Sequence, residues 1–382
     1  DRLPAENPRM PQLTITDDIL DLNSDFESPI YGASVFDQST FNNILTEGLS
    51  VTLGLRLDYE KAKLDYNSNT IYNYKATITP PPPAPSITRP GADTVQIVGS
   101  ASKDYLELLP KAVVKYQFNP NSFLYASASR GYKAGGHNIQ LFADLLQEAM
   151  NPTSGFTEDV VSDRITYKPE YSWNYEFAGQ VSIIDNALSA SFALYYMDVR
   201  DVQITQFVKS GGGRMLSNAG KAVSKGFEVG LKARPCNGFY LYANYGLANA
   251  KFKDYEVKDE NGTVTADYSN NHIPFAPQST FSVGGTVSKD FSYDSFINRV
   301  TFDTNFSGIG RVYWQEDNVL SQGFYGTLDA RLAFEKSLFT LEIWGKNILD
   351  RDYDTFLFES NKNYFAQRGR PARWGASIKV SL

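Results

Sequence analysis

Two histidines and one cysteine in 382 residues leave little for metal or thiol chemistry. A structural zinc site asks for about four such ligands at set spacing. Cys236 has no partner in the chain for a disulfide, and in "RPCNGF" it reads as a turn residue. Long apolar runs are missing as well: nothing approaches the ~20 residues that a membrane-crossing helix needs. The opening "DRLPAENPRM" has neither the basic start nor the apolar stretch of a signal peptide. Nor is there an excess of positive charge, with 36 basic residues against 43 acidic. The densest basic cluster is Arg368, Arg370 and Arg373; no basic stripe interleaved with aromatics tracks a phosphate backbone, so no nucleic-acid partner is expected. Neither His137 nor His272 lies beside a recognisable serine motif. No catalytic residue, metal site or cofactor is therefore expected.

What the chain has in abundance is aromatic residues, 24 Tyr and 25 Phe, and alternation of period two. In "LSVTLGLRLDY" the odd positions Leu49 to Tyr59 are apolar and the even ones small or polar. "ALSASFALYYM", "FYLYANYGLANAKF", "TLDARLAFEK" and the closing "RWGASIKVSL" repeat the pattern, with Asp329, Arg331 and Glu335 on the polar face of the fourth. This spacing makes strands with one oily and one wet face. One short helix is expected in "IQLFADLLQEAM", 139–150.

Connections alternate in length. Short ones fall at 119–122, 185–186, 236–238 and 336–337; long ones at 67–102, 134–169, 255–276 and 351–370. Tight turns at one rim and long loops at the other are the pattern of a transmembrane antiparallel up-and-down β-barrel, whereas a soluble sandwich scatters its loop lengths. About thirteen strands are expected, roughly 31–40, 48–66, 103–118, 122–133, 170–184, 187–208, 215–234, 238–254, 277–290, 297–314, 322–336, 338–349 and 371–382. The odd count marks a partial barrel, because complete bacterial barrels have even numbers of strands. The proline-rich "TPPPPAPSITRPG", 79–91, is expected to be a stiff, exposed spacer in the first long loop.

"FLYASASRGYKAGGHN" (123–138), the stretch 168–205, "NAGKAVSKGFEVGLKARP" (218–235) and "WGKNILDRDYD" (344–354) followed by "GRPARWGASIKVSL" resemble, in order and spacing, the C-terminal barrel region of TonB-dependent outer-membrane receptors. The resemblance covers nearly all of the chain after residue 31. It implies an integral protein of the bacterial outer membrane, with about 13 strands here of a likely 22. Residues 31–382 are then barrel, residues 1–30 an extracellular loop or linker, and the N-terminal plug domain lies outside this chain. It implies energy-coupled uptake of a ferric siderophore or similar iron complex. The partners are that iron chelate, outer-membrane lipid and lipopolysaccharide, and the TonB energy-coupling protein acting through the plug. A passive porin, or a receptor for haem, vitamin B12 or an oligosaccharide, is the alternative. The chain departs from the family in ending on Leu382 instead of an aromatic.

Asp185-Asn186 reads as a two-residue hairpin turn. Gly226, Asn347 and Asp350 read as fold determinants, and "SGGGR", 210–214, as a glycine-rich turn. A ligand is expected at the outer loops. "GRVYWQEDN" supplies Arg311, Tyr313 and Trp314; the last long loop supplies Arg351, Tyr353, Phe356, Tyr364, Phe365, Arg368 and Arg370. Guanidinium groups with aromatic rings suit an anionic, partly aromatic iron chelate, through charge-assisted hydrogen bonds and stacking. His137, at the start of an outer loop, is a further ligand-binding candidate.

Overall fold

The computed structural model describes residues 12–81, 83–150, 154–184, 187–207, 213–258, 263–360 and 363–381. Its main sheet is antiparallel throughout and built from β1 (Gln12–Glu27), β2 (Ile30–Asn42), β3 (Leu49–Thr79), β4 (Ile87–Asn119), β5 (Ser122–Lys133), β6 (Glu170–Ile184), β7 (Leu188–Arg200), β8 (Lys221–Ala233), β9 (Phe239–Asp254), β10 (Ser279–Asp290), β11 (Arg299–Ile309), β12 (Tyr325–Lys336), β13 (Phe339–Lys346) and β14 (Arg373–Val380). β1 and β2 lie end to end along one edge of β3: Gln12 faces Thr79, Glu27 faces Asp65, Ile30 faces Ala62 and Asn42 faces Ser50. Between them the Lys63 N–H donates to Pro29 O (3.1 Å). Every other strand pairs with its sequence neighbour, giving the expected up-and-down order in thirteen positions. Among the described residues, no ladder joins β1 or β2 to β14.

The oily faces point outward. Phe177, Leu194, Phe227 and Leu247 stand side by side across β6 to β9 in register, all exposed but the half-buried Phe227. Leu53, Leu57, Leu106, Leu231, Leu341 and Ile378 are likewise exposed. Left in water, each such side chain would forgo about 1.5–3 kcal/mol of burial. The opposite face is polar and cross-linked: Thr286 donates to Asp303 (2.6 Å), and Arg331 bridges Asp303 and Glu342 (both 2.7 Å). Tyr242 OH donates to Asn305 (2.9 Å), and the Asp303, Asn305 and Arg331 side chains border a hollow of about 360 Å³. Gly226 is a close-approach position, since a Cβ there would collide with Leu247 O and the Tyr195 hydroxyl. The Asp185-Asn186 turn, Leu382 and residues 210–212 of "SGGGR" lie outside the described residues.

The first long connection is corrected. Residues 12–27, expected as loop or linker, and most of 67–102 are strands of one three-stranded arm. β3 alone has 31 residues, about 100 Å of strand at ~3.3 Å each, against the ~9–11 residues that cross a bilayer. Even Pro90 is in register, opposite Lys75. In an antiparallel ladder alternate residues direct N–H to opposite sides. The odd-numbered Gln117 donates to Gly48 O on the β3 side (2.9 Å), so Pro90 and Pro110 take positions where β3 loses no donor. The loss falls on the β5 side, where pairing stops at Lys111–Ser129, next to Pro110. There Arg130 closes the gap: its guanidinium donates to Leu108 O (2.8 Å) and to Glu107 (3.2 Å), and Tyr171 OH donates to the other Glu107 oxygen (2.7 Å).

The expected helix is present as a 3-10 turn, Ile139–Leu141, running into α1 (Phe142–Ala149). With α2 (Val161–Ile165) it buries Phe142, Leu145, Leu146, Val161 and Ile165 against Leu64, Tyr66, Ile97 and Ala101 of the arm. Three expected strands, 187–208, 215–234 and 297–314, each divide in two, the last into Arg299–Ile309 of the wall and Val312–Tyr313 of a separate hairpin. Asp201 has φ 53°, a left-handed conformation that bends the chain. Past it, Gln203–Phe207 and Arg214–Asn218 form a separate hairpin.

Candidate functional site

Each long connection after β4 carries a small element of its own. The hairpins are Gln203–Phe207 with Arg214–Asn218, Glu256–Lys258 with Val264–Asp267, Val312–Tyr313 with Ser321–Gln322, and Asp354–Ser360 with Asn363–Arg368. Amide side chains sew them together by standing in for backbone. Asn138 both donates to Leu216 O and accepts from Leu216 N–H, each at 2.8 Å. Asn318 does the same with His272, donating to its carbonyl (2.8 Å) and accepting from its N–H (2.6 Å). Gln203 donates to Ala134 O (2.8 Å) and Lys168 O (3.0 Å). Asn347, at φ 47°, donates to Arg351 O and Arg370 O and accepts from Arg351 N–H, all at 3.0 Å, clamping both legs of the last loop. Asp350 accepts from Ala372 N–H (2.8 Å).

Four of these loops meet at a cluster of rings. Phe356 stacks on Phe275 (centroids 5.8 Å apart, 11° between planes), and Trp314 sits edge-on to both at 5.7 and 6.3 Å. Phe356 continues to Phe358 (5.5 Å), which stacks on Phe365 (5.0 Å, 16°). The Arg214 guanidinium lies over Phe356 and Phe358, 5.2 and 5.7 Å from the ring centres. Arg214 hangs from the β7–β8 connection and Phe356 from β13–β14. Their roots are five strand spacings apart, about 24 Å along the wall. The hairpins therefore lean away from the wall and toward each other across the mouth it borders. Phe275 holds φ 64°, a strained conformation for a bulky residue and one that recurs at binding sites; its N–H is held by Tyr313 O (2.8 Å).

The predicted residues divide. Trp314, 8% exposed, Phe356 and Phe365 are in the cluster. Tyr313 stacks on His272 (5.3 Å, 13°) and Tyr353 on Tyr325 (4.2 Å, 10°), each serving to brace a loop. Arg311 meets a neighbouring loop through its carbonyl, which accepts from Gln278 N–H (3.0 Å), while Arg351 and Arg370 are both tied to Asn347 within their own loop. Arg368 pairs loosely with Asp354 (3.4 Å), and Tyr364 stands 64% exposed on the outer hairpin strand. His137 lies elsewhere, paired with Thr166 where the two ends of the β5–β6 connection meet; burial first, and Lys103 second, lower its pKa and favour the neutral ring. Phe275, Phe358 and Arg214 were not expected. Arg214 is the last residue of the glycine-rich "SGGGR" and Phe275 lies between two prolines, so no periodic signal marks either.

The nearby titratable groups are pulled in opposite directions. Burial raises the Glu316 carboxyl, and with it the Tyr255 hydroxyl, whose oxygen accepts from Gln206 Nε2 (2.6 Å). Burial and then Lys251 lower His272. Among the described residues, no group of three or more His, Cys, Asp or Glu is placed to hold a metal.

Comparison with known proteins agrees with this architecture. The chain is 26% identical over 344 residues to the pesticin receptor of Yersinia pestis, matching 88% of itself and 42% of that protein; it thus spans less than half the length of that curated relative. The ferric yersiniabactin uptake receptor FyuA from Yersinia pestis superimposes with a TM-score of 0.58 at 19% identity, over 96% of this chain and 59% of that one. The siderophore receptor PiuA from Acinetobacter baumannii does so with 0.57 at 13%, over 93% and 56%. Residues 4–348 match the family described as TonB dependent receptor-like, beta-barrel, and the chain belongs to that family of outer-membrane receptors.

Proposed function

We propose that this chain is the outer-membrane barrel portion of a receptor that captures a ferric siderophore and imports it with energy supplied through TonB. The observation that carries the reading is the four-loop cluster of rings and one guanidinium, held across the mouth of a polar-lined wall. The exposed apolar band supports integral insertion, with lipid on that face and lipopolysaccharide around the arm. Residues 31–382 form barrel wall and crown, residues 1–30 an outer segment, and a plug encoded elsewhere in the receptor fills the lumen and contacts TonB. The pesticin and siderophore receptors that the chain resembles point to iron chelates as cargo. Capture then consists of stacking on the ring cluster, with charge attraction from Arg214; the exposed Phe275 and Phe365 rings make the first contact, Phe356 and Trp314 back them, and Tyr313, Tyr353, Arg351 and Arg368 hold the loops that present them.

The test is uptake of radioactive iron, as a panel of ferric siderophores, by a receptor-null strain expressing the full-length receptor. Uptake that stops when the proton-motive force is dissipated supports the proposal. Uptake that continues unchanged means a passive pore, and no uptake of any ferric complex removes iron as the cargo.

A further inference from the structure

We infer that the inner wall, at the rim of tight turns, binds an extended acidic segment of a protein partner, held by Lys232, Arg234 and Arg299. This rim lies at the far end of the wall from the ring hub of Phe275, Trp314 and Phe356, and, resting on the uptake reading, it faces the periplasm. Tyr240 stands beside Tyr242 (5.9 Å between centroids), whose hydroxyl donates to Asn305, so both rings belong to the polar face. The Arg234 guanidinium lies over Tyr240, 5.3 Å from its centre. Two hollows share this pair. One, of about 250 Å³, is bordered by Gln180, Ser182, Lys232 and Arg234; the other, of about 610 Å³, by Arg234, Asn237, Ser288 and Arg299.

The lining is rich in donors and, among the described residues, contains no carboxylate. Among those residues neither Lys232 nor Arg234 forms an ion pair. Arg299 donates to Ser288 (3.1 Å) and reaches the exposed Asp290 only at 3.6 Å. Other cations of the same rim are already engaged: Lys336 donates to Tyr293 O (2.9 Å) and Ser295 O (2.7 Å), and Lys289 lies over Phe291 (5.4 Å). Three cations that border shared space repel one another until an anion enters. Their spread decides its shape. β8 and β11 stand three strand spacings apart, about 14 Å, and carboxylates at alternate positions of an extended peptide recur about every 7 Å. Positions i, i+2 and i+4 of such a segment therefore meet all three cations, whereas a compact anion meets one or two. The turn residues Cys236, Asn237 and Gly238 line the larger hollow, so the segment enters from beneath the wall and need not thread the lumen.

The experiment is fluorescence-anisotropy titration of the purified full-length receptor in detergent with a dye-labelled peptide of alternating glutamate and threonine, and with its glutamine-for-glutamate counterpart. The acidic peptide is expected to bind about tenfold more tightly, and to weaken as salt is raised. Arg234→Gln is expected to weaken it about two- to fivefold, the range of one exposed ion pair, and Arg234→Gln with Arg299→Gln about five- to twentyfold. Lys289→Gln, outside both hollows, should leave it unchanged. Equal binding of the two peptides overturns the inference, as does a loss on Lys289→Gln as large as on Arg234→Gln, which marks general attraction to a basic rim. Displacement of the peptide by citrate at equal carboxylate concentration makes this a compact-anion site and overturns it too. Cys236, in the larger hollow, reports which side the rim faces: a polymer-linked maleimide too large for outer-membrane pores should label it only after the outer membrane is opened. Labelling in intact cells refutes that orientation, and with it the uptake reading; failure of the peptide with Cys236 shielded in intact cells overturns the acidic-segment inference alone.

Discussion

Replacing Asn347 with alanine should free the last long loop and leave the barrel wall intact. Three hydrogen bonds disappear, to Arg351 O, Arg370 O and from Arg351 N–H. At about 1 kcal/mol net each they sum to about 3 kcal/mol. Alanine must also hold the φ of 47° that asparagine tolerates, at a further ~1 kcal/mol. About 4 kcal/mol of lost local stability corresponds to a roughly thousandfold rise in opening. The assay is amide hydrogen exchange in detergent, read at Gly369 and Ala372, whose N–H groups donate to Tyr353 O and Asp350 within the same loop neck (both 2.8 Å). Asn347→Gly loses the same three bonds without the conformational penalty, so it should open several-fold less than the alanine variant. Amides of β13 should stay protected in both. If Gly369 and Ala372 remain as protected as in the parent, the clamp is not what holds the loop. If glycine and alanine open it equally, the backbone contribution is wrong.

Arg130→Met strands Leu108 O and leaves the buried Glu107 with only Tyr171 among its described hydrogen-bond donors; about 2–4 kcal/mol should be lost. Denaturant unfolding of the refolded receptor reads this loss, and combining Arg130→Met with Glu107→Gln should cost less than the sum of the single changes. Phe142→Ala empties the centre of the helix-to-arm cluster at about 3–5 kcal/mol, which should make 139–165 cleavable by protease while the strands resist; a variant as resistant as the parent refutes that packing. Two pH effects should appear in the crown, with opposite signs. His272 is favoured as the neutral ring, so acidification from its ordinary value of 6.5 downward should weaken the crown, and His272→Gln should abolish that loss. Glu316 is favoured as the neutral acid, so its cost begins as pH rises above its ordinary 4.5; Glu316→Gln should raise stability at pH 7 and change nothing near pH 4. Thermal unfolding followed by tryptophan fluorescence at several pH values checks both.

The wall was legible in the sequence because each strand meets two different surroundings, and period two records that difference. Leu53, Leu57, Leu194 and Leu241 all fall on the face that alternation predicts, and all are exposed. The arm was not legible. "DYNSNTIYNYKATIT" alternates, with Tyr66, Tyr72, Tyr74, Ala76 and Ile78 on one face, but Ser68 and Thr70 stand buried on that face where apolar residues would mark it, and its length and asparagines read as a loop. Strand ends failed where one backbone angle decides, as at Asp201. Of the hub, Trp314, Phe356 and Phe365 were found as aromatics beside arginines. Arg214 and Phe275 were not, since the contact that gives them meaning joins loops rooted about 24 Å apart.

That span has a consequence for how such receptors diverge and are engineered. The ring hub is the keystone of an arch whose springers stand on separate strand pairs. Grafting the loop of 347–372 alone onto a relative would deliver Phe356 without the Arg214 and Phe275 it rests against. Specificity should therefore be inherited as a block of four loops, and insertions tolerated in one should be matched by changes in the others. The outer arm shares no described contact with the ring hub, so beyond the cluster on Leu64, Tyr66, Ile97 and Ala101 its length and sequence are free to drift.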